Sequence, residues 1–279
     1  MRLVSYDAGE GPRAGLLRDG RVLDVWAALG GEPAEPTVGA LVRAGRLDAA
    51  RELEGEGLAL ETVRLLPPIS DPGKIVCIGL NYVSHAEESG IEPPQTPTIF
   101  AKWANALAAP GAQVALPGYS QKVDYEGEVA FVIGSRAHRV AEAEALDHVA
   151  GYTLLNDLSA RDYQFLTPQW MPGKVFDGSA PCGPALVTPD EAGPADAIGV
   201  ELTLNGEVMQ SATTAELIHS IPALVAYLSM LMTLEPGDIV STGTPAGVGS
   251  SRQPRVWLAP GDEVVVSSPT LGRLETRLV

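Results

Sequence analysis

Two glutamates two positions apart, Glu126 and Glu128 in Asp124-Tyr125-Glu126-Gly127-Glu128-Val129, open an apolar run. In an extended strand residues i and i+2 leave the same face, so both carboxylates are aimed at one place. Like charges side by side cost energy unless a cation neutralises them, and Gly127 between them leaves the opposite face without a side chain. The pattern points to a bound metal; the alternative is a solvated strand face carrying a chance pair. Asp157 follows the apolar stretch 152–155, at a strand end where a carboxylate can face a pocket. Its alternative role is to cap a helix beginning at Ser159 and Ala160. If the three carboxylates converge, an all-oxygen donor set suits Mg²⁺ or Mn²⁺ better than Zn²⁺.

His85 and Glu88 are three apart, neighbours on one face if residues 81–88 are helical. A carboxylate at that distance orients an imidazole and stabilises its cation, which makes the pair a candidate for moving a proton near neutrality. An exposed helix with surface charges is the competing explanation. Only four of the 19 basic residues are lysines: Lys74, Lys102, Lys122 and Lys174. Lys174, in Pro172-Gly173-Lys174-Val175-Phe176-Asp177-Gly178, can set a compact point charge beside a developing enolate or carboxylate, or be an ordinary surface lysine. Gly9-Glu10-Gly11-Pro12-Arg13-Ala14 fits a dinucleotide fingerprint, but it joins two apparent strands, with no helix N-terminus to hold a pyrophosphate. A phosphate-binding Gly-Lys-Ser/Thr loop and a Gly-x-Ser-x-Gly nucleophile elbow are both absent.

These residues need strands to carry them. Residues 1–25 alternate and turn like a small β unit, with turns at Gly11-Pro12 and Asp19-Gly20. Residues 41–53 are expected to be helical. Pro67-Pro68 and Asp71-Pro72-Gly73 form a rigid break, taken as a boundary between a small domain, 1–70, and a catalytic domain, 71–279. Strands are then expected at 75–78, 98–100, 126–133 and 151–155, with helices after Asn81 and at 141–148. Asn205-Gly206 supplies the two positive-φ residues of a type I′ hairpin turn. Ser220 opens a helix whose apolar residues 221, 224, 225, 228, 231 and 232 recur at helical spacing, and strands return at 238–242, 262–267 and 274–278.

The chain has 279 residues, 45% of them hydrophobic, and 35 acidic residues against 19 basic, a net charge of −16. Such a charge repels phosphate backbones and anionic lipid surfaces, which argues against nucleic-acid binding, and no stretch approaches a membrane span. The same field repels an anionic metabolite unless a cation and positioned Lys or Arg reverse it locally. The two cysteines, Cys77 and Cys182, lie in apolar contexts and read as small buried hydrophobes. The N-terminal residues lack the apolar run of a secretory signal, from which a cytoplasmic protein is expected.

In order, KIVCIGLNYVSHAEE, VDYEGEVAFVIG, GYTLLNDLSARDYQ, PGKVFDG and LMTLEPGDIVSTGTPAGVG resemble the fumarylacetoacetate hydrolase family over residues 74 to about 249. The resemblance implies an α+β, mainly β fold: a mixed β roll or barrel over 71–279, preceded by a small N-terminal α+β domain. It implies that Glu126, Glu128 and Asp157 bind Mg²⁺ or Mn²⁺, that His85 with Glu88 activates water, and that Lys174 stabilises an oxyanion or carbanion. Lys102, Arg161, Gln164 and Thr244 would contact the substrate or the groups around the metal. Many relatives have Phe-x-Lys-Pro with a nearby Ser where this chain has Phe100-Ala101-Lys102-Trp103-Ala104-Asn105, so Trp103 and Asn105 are expected to reshape the substrate pocket. Gln169-Trp170, between Pro168 and Pro172, is expected to belong to a lid. The expected activity is hydrolysis of a C–C bond in an acylpyruvate-like keto acid by a homodimer. Decarboxylation of an oxaloacetate-like acid, keto–enol isomerisation of an unsaturated dioic acid, and noncatalytic metal or metabolite binding are the alternatives.

Overall fold

The computed structural model describes residues 1–30 and 33–279. Among these residues the fold is α+β and mainly β, built from two large sheets packed face to face, a two-stranded sheet of Val123–Asp124 and Ser159–Ala160, and short helices around them. The larger sheet runs, edge to edge, through Leu58–Ala59, Arg21–Asp24, Pro12–Arg18, Arg2–Asp7, Ala180–Val187, Val149–Asn156, Gly127–Ile133, Ile239–Ser241, Ile75–Gly79 and Thr98–Lys102. The smaller runs through Glu207–Thr213, Gly199–Leu204, Glu263–Ser268, Gly272–Leu278 and Gln113–Val114. This is the mixed β roll expected from the sequence, and it includes residues before the break at 66–73: Arg2 and Leu3 pair with Val187 and Leu186.

The strand Gly127–Ile133 is buried along its whole length, because it is central in its sheet and covered on both faces. Val129, Phe131 and Ile133 join the core shared with Leu202, Val264 and Val266 of the smaller sheet, while Ala130 and Val132 join the core under the N-terminal strands and helices. Alternation of strand side chains thus divides one apolar run between two cores. A Cβ at Gly127 would lie 3.1 Å from Leu202 Cβ, so the glycine permits the smaller sheet to approach between the two glutamates.

Local signals act as read at several places. Asn205 and Gly206 have φ of +51° and +84° in the hairpin turn. The Ser220 hydroxyl accepts from Ala223 N–H at the start of the helix Ile221–Leu231. Two helix expectations need correction. The helix expected at 41–53 is Val38–Arg43, because Thr37 caps it early and the positive-φ Gly45 stops it, leaving only a 3₁₀ turn at Asp48–Ala50. Residues Glu142–His148 form a 3₁₀ rather than an α-helix.

Candidate metal centre and active site

Strand register brings the three carboxylates together. Gly127 pairs with Asn156, so Glu126 and Asp157 sit side by side where the two strands end. Asp157 N–H donates to Glu126 O at 2.8 Å, and Glu126 N–H donates to Asn156 Oδ1 at 3.1 Å. Asp157 does not cap a helix, since Ser159–Ala160 is extended and pairs with Val123–Asp124. Oxygens of Glu126, Glu128 and Asp157 lie within 4.8 Å of one another, and all three residues are buried.

Their surroundings are unequal. Glu126 is held below the usual carboxylate range: burial opposes this, but the charges of Lys174 and Arg161 prevail. Glu128 is pushed well above that range, first by burial and then by the like charges of Asp157 and Glu126. It accepts from the Ser241 hydroxyl and from Gly243 N–H at 3.0 Å. A buried set of hard oxygen donors, one of them raised by burial and by its neighbours' negative charge, fits a divalent cation such as Mg²⁺ or Mn²⁺. The cluster is thus capable of coordinating such an ion.

Three cations surround the cluster. Lys174 Nζ donates to Glu126 Oε2 at 2.7 Å and Asp157 Oδ2 at 2.8 Å, and lies 5.0 Å from the Phe100 ring centre. Arg161 contacts Asp124 Oδ2 at 2.8 Å, Glu126 Oε1 at 2.7 Å and, through Nη1, Gln164 Oε1 at 2.9 Å. Lys102, 1% exposed, donates to Asp157 Oδ1 at 2.6 Å. It stands behind Asp157 against a different cavity, bordered by Trp103 and Met232, so its position suits holding that carboxylate more than touching a ligand. Trp103 is 56% exposed and borders that second cavity as well. Asn105 instead binds Val175 O and Asp177, fixing the chain after Lys174.

His85 and Glu88 arrive on the helix Val83–Ser89, which Asn81 fastens to the loops at 219 and 242 through its side-chain amide. His85 Nδ1 is 3.3 Å from Glu88 Oε2, and Glu88 Oε1 accepts from Gly247 N–H at 3.0 Å. Burial raises the Glu88 carboxyl, but the hydrogen bonds from His85 and Gly247 outweigh it and hold the group below its usual value. His85, Glu126, Glu128, Arg161, Lys174 and Thr244 line one cavity of about 310 Å³, which Gln164 and Trp170 also border. It therefore gathers most of the site residues read from the sequence.

Three supporting residues escaped that reading. Asp124, fully buried, accepts from Gly249 N–H, Ser250 N–H and Arg161. Gln210 reaches from the smaller sheet, accepting from Gly127 N–H at 2.9 Å and donating to Thr244 Oγ1 at 2.8 Å. Ser241 binds Glu128. Asp124 and Ser241 lie inside quoted motifs and were discoverable there; Gln210 carries no local signal.

The family described as fumarylacetoacetate (FAA) hydrolase C-terminal matches residues 74–279. The chain is 38% identical over 288 residues to the mitochondrial oxaloacetate tautomerase fahd2 of Xenopus laevis, covering 100% of this chain and 90% of that protein. Among solved structures, a putative HpcE protein from Mycobacterium smegmatis superposes with a TM-score of 0.90 at 34% identity, covering 100% of this chain and 99% of that one. Maleylpyruvate hydrolase from Sphingobium sp. SYK-6, in complex with manganese(II) and pyruvate, does so with 0.83 at 30% identity, covering 100% and 99%. The expectation of a cytoplasmic protein is corrected by these relatives: the frog protein is mitochondrial by name, and lack of a secretory signal does not distinguish the two compartments. Family match, whole-chain similarity and a carboxylate cluster fit for a divalent ion lead to one identification: this chain is an enzyme of the fumarylacetoacetate hydrolase family.

Proposed function

We propose that the enzyme is a divalent-metal-dependent keto–enol isomerase of a small 2-oxo diacid of the oxaloacetate type. The observation that carries this is the His85–Glu88 contact in the cavity that also presents Glu126 and Glu128. Held by Glu126, Glu128 and Asp157, Mg²⁺ or Mn²⁺ would polarise the 2-oxo group and acidify the neighbouring C3. His85 turns Nδ1 to Glu88, which leaves Nε2 to exchange a proton with C3. Lys174 supplies fixed positive charge where the enolate oxygen gains negative charge, while Arg161, Gln164 and Thr244 border the space for the rest of the substrate. One C–H bond breaks, one O–H bond forms, and no water is consumed.

The named tautomerase activity of the frog relative favours this reading over the hydrolysis that the sequence suggested. Hydrolysis remains the second reading, favoured by likeness to maleylpyruvate hydrolase, in which the same dyad would activate water. Oxaloacetate enol absorbance, followed with Mg²⁺, Mn²⁺ or EDTA, tests the proposal. Metal-dependent loss of the enol signal without CO₂ release is expected, falling by about 10²–10⁴-fold in His85→Ala. Acetate and pyruvate from acetylpyruvate would instead indicate hydrolysis, and CO₂ from oxaloacetate decarboxylation. Pairing as a homodimer, proposed from the family resemblance, is checked by light scattering.

A further inference from the structure

Beside the charged groups, the cavity has an aromatic wall. Trp170 lines it together with Phe100, the two rings 5.6 Å apart and inclined at 64°. The indole occupies the space that a side chain at residue 79 would take: a Cβ there would lie 2.2 Å from Trp170 Cζ3 and 2.8 Å from Cη2. Gly79, at the end of Ile75–Gly79, thus allows the ring to lie against the strand.

The backbone at Trp170 is tied to the catalytic end of the site. Its carbonyl accepts from Gly173 N–H at 3.0 Å, at the start of the turn Met171–Lys174. A Cβ on Gly173 would lie 2.5 Å from Ala160 O and Gln164 N, so this turn is packed tightly against the Arg161–Gln164 segment. Phe100 touches both neighbours, with Trp170 at its edge and the Lys174 ammonium 5.0 Å from its centre. By contrast, Phe165 and Leu166 just before are 68% and 65% exposed. Lys174 and Arg161 are engaged with carboxylates, so the rings of Trp170 and Phe100 bound the cavity by shape rather than by charge.

We infer that Trp170, seated on Gly79 and braced by Phe100, is the specificity-determining wall that limits the size of the C3 substituent on a 2-oxo acid. The inference rests on the reading of this cavity as the 2-oxo acid site. It deepens that reading by naming the residue that selects among substrates. Apolar pockets discriminate by size through the space left beside the substrate, and a wall held by one missing Cβ moves when that Cβ is supplied.

Calorimetry on the Mn²⁺-loaded protein, with pyruvate as the small probe and phenylpyruvate as the bulky one, tests this without relying on turnover. Trp170→Ala is expected to raise the affinity for phenylpyruvate relative to pyruvate about tenfold or more, with Trp170→Phe intermediate. Gly79→Ala, which drives the indole toward the cavity, is expected to lower that ratio, and its effect should vanish in a Trp170→Ala background, since the two residues act through one contact. Thermal unfolding of each variant verifies that it is folded. A ratio unchanged in Trp170→Ala and Trp170→Phe, with pyruvate still bound, overturns the wall and leaves the site reading intact. Wild-type protein that binds Mn²⁺ but neither keto acid overturns the site reading and the wall with it.

Discussion

Glu126 and Asp157 are held by cations, whereas Glu128 has only the Ser241 hydroxyl and Gly243 N–H, and the partner decides what each residue can do. Lys102 and Lys174 approach Asp157 from different oxygens, at 2.6 and 2.8 Å, yet only Lys174 lines the cavity. Lys102→Met should therefore lower Mn²⁺ affinity by roughly 10–100-fold, the usual cost of removing a group that orients a ligand, while leaving KM at saturating Mn²⁺ nearly unchanged; titration calorimetry and steady-state kinetics separate the two. Glu88 gives a pH-dependent test. Its folded-state pKa is depressed, so its interactions stabilise the fold fully above the unfolded glutamate value of about 4.3 and are lost as pH falls through the folded value. The stability difference between wild type and Glu88→Gln, followed by thermal unfolding, should thus shrink as pH falls from about 4.3 through the folded value.

At the level of elements, the donor strand Gly127–Ile133 is positioned by pairing on both edges, with Val149–Asn156 and Ile239–Ser241, and by packing of the smaller sheet against it. Gly127 is a point of close approach, with Leu202 and the Gln210 amide within 3.5 Å of where a Cβ would stand. Gly127→Ala is expected to cost about 1–3 kcal/mol, the usual penalty of overpacking, and to weaken Mn²⁺ binding because the glutamates on either side shift with it. Chemical denaturation and Mn²⁺ titration check both effects. The helix Val83–Ser89 belongs to a different kind of element. It is short, starts without a side-chain cap, and is fixed by Asn81 and Glu88 to loops far along the chain, so the dyad is set by tertiary hydrogen bonds.

For the whole molecule, a net charge of −16 and a cluster of three buried carboxylates make a bound cation a structural as well as a chemical asset. A ligand that binds only the folded state stabilises it by mass action. Mn²⁺ at about 100 times its dissociation constant should add about 2.7 kcal/mol relative to EDTA-treated protein, seen as a rise in Tm that is absent in Glu128→Gln. Overall negative charge also slows approach of an anionic substrate. Added salt screens that repulsion over a Debye length of about 8–10 Å, so kcat/KM for oxaloacetate is expected to rise with moderate ionic strength.

The sequence by itself determined the strands around the site, the Asn205-Gly206 hairpin, the Ser220 helix and the candidate carboxylates, because alternation, turn residues and caps act over a few neighbours. It also supplied the family, through five motifs in order. Where propensity was the only guide it failed, as at 41–53, since a glycine at positive φ ends a helix that apolar spacing would continue. Only the tertiary structure decided that Lys102 stands behind Asp157 while Lys174 faces the cavity, that Gln210 braces the donor strand from the other sheet, and that Trp170 rests on Gly79. Those pairs are separated by 55, 83 and 91 positions or lie on different sheets, and contact between them is fixed by strand register and sheet packing, which no local pattern encodes.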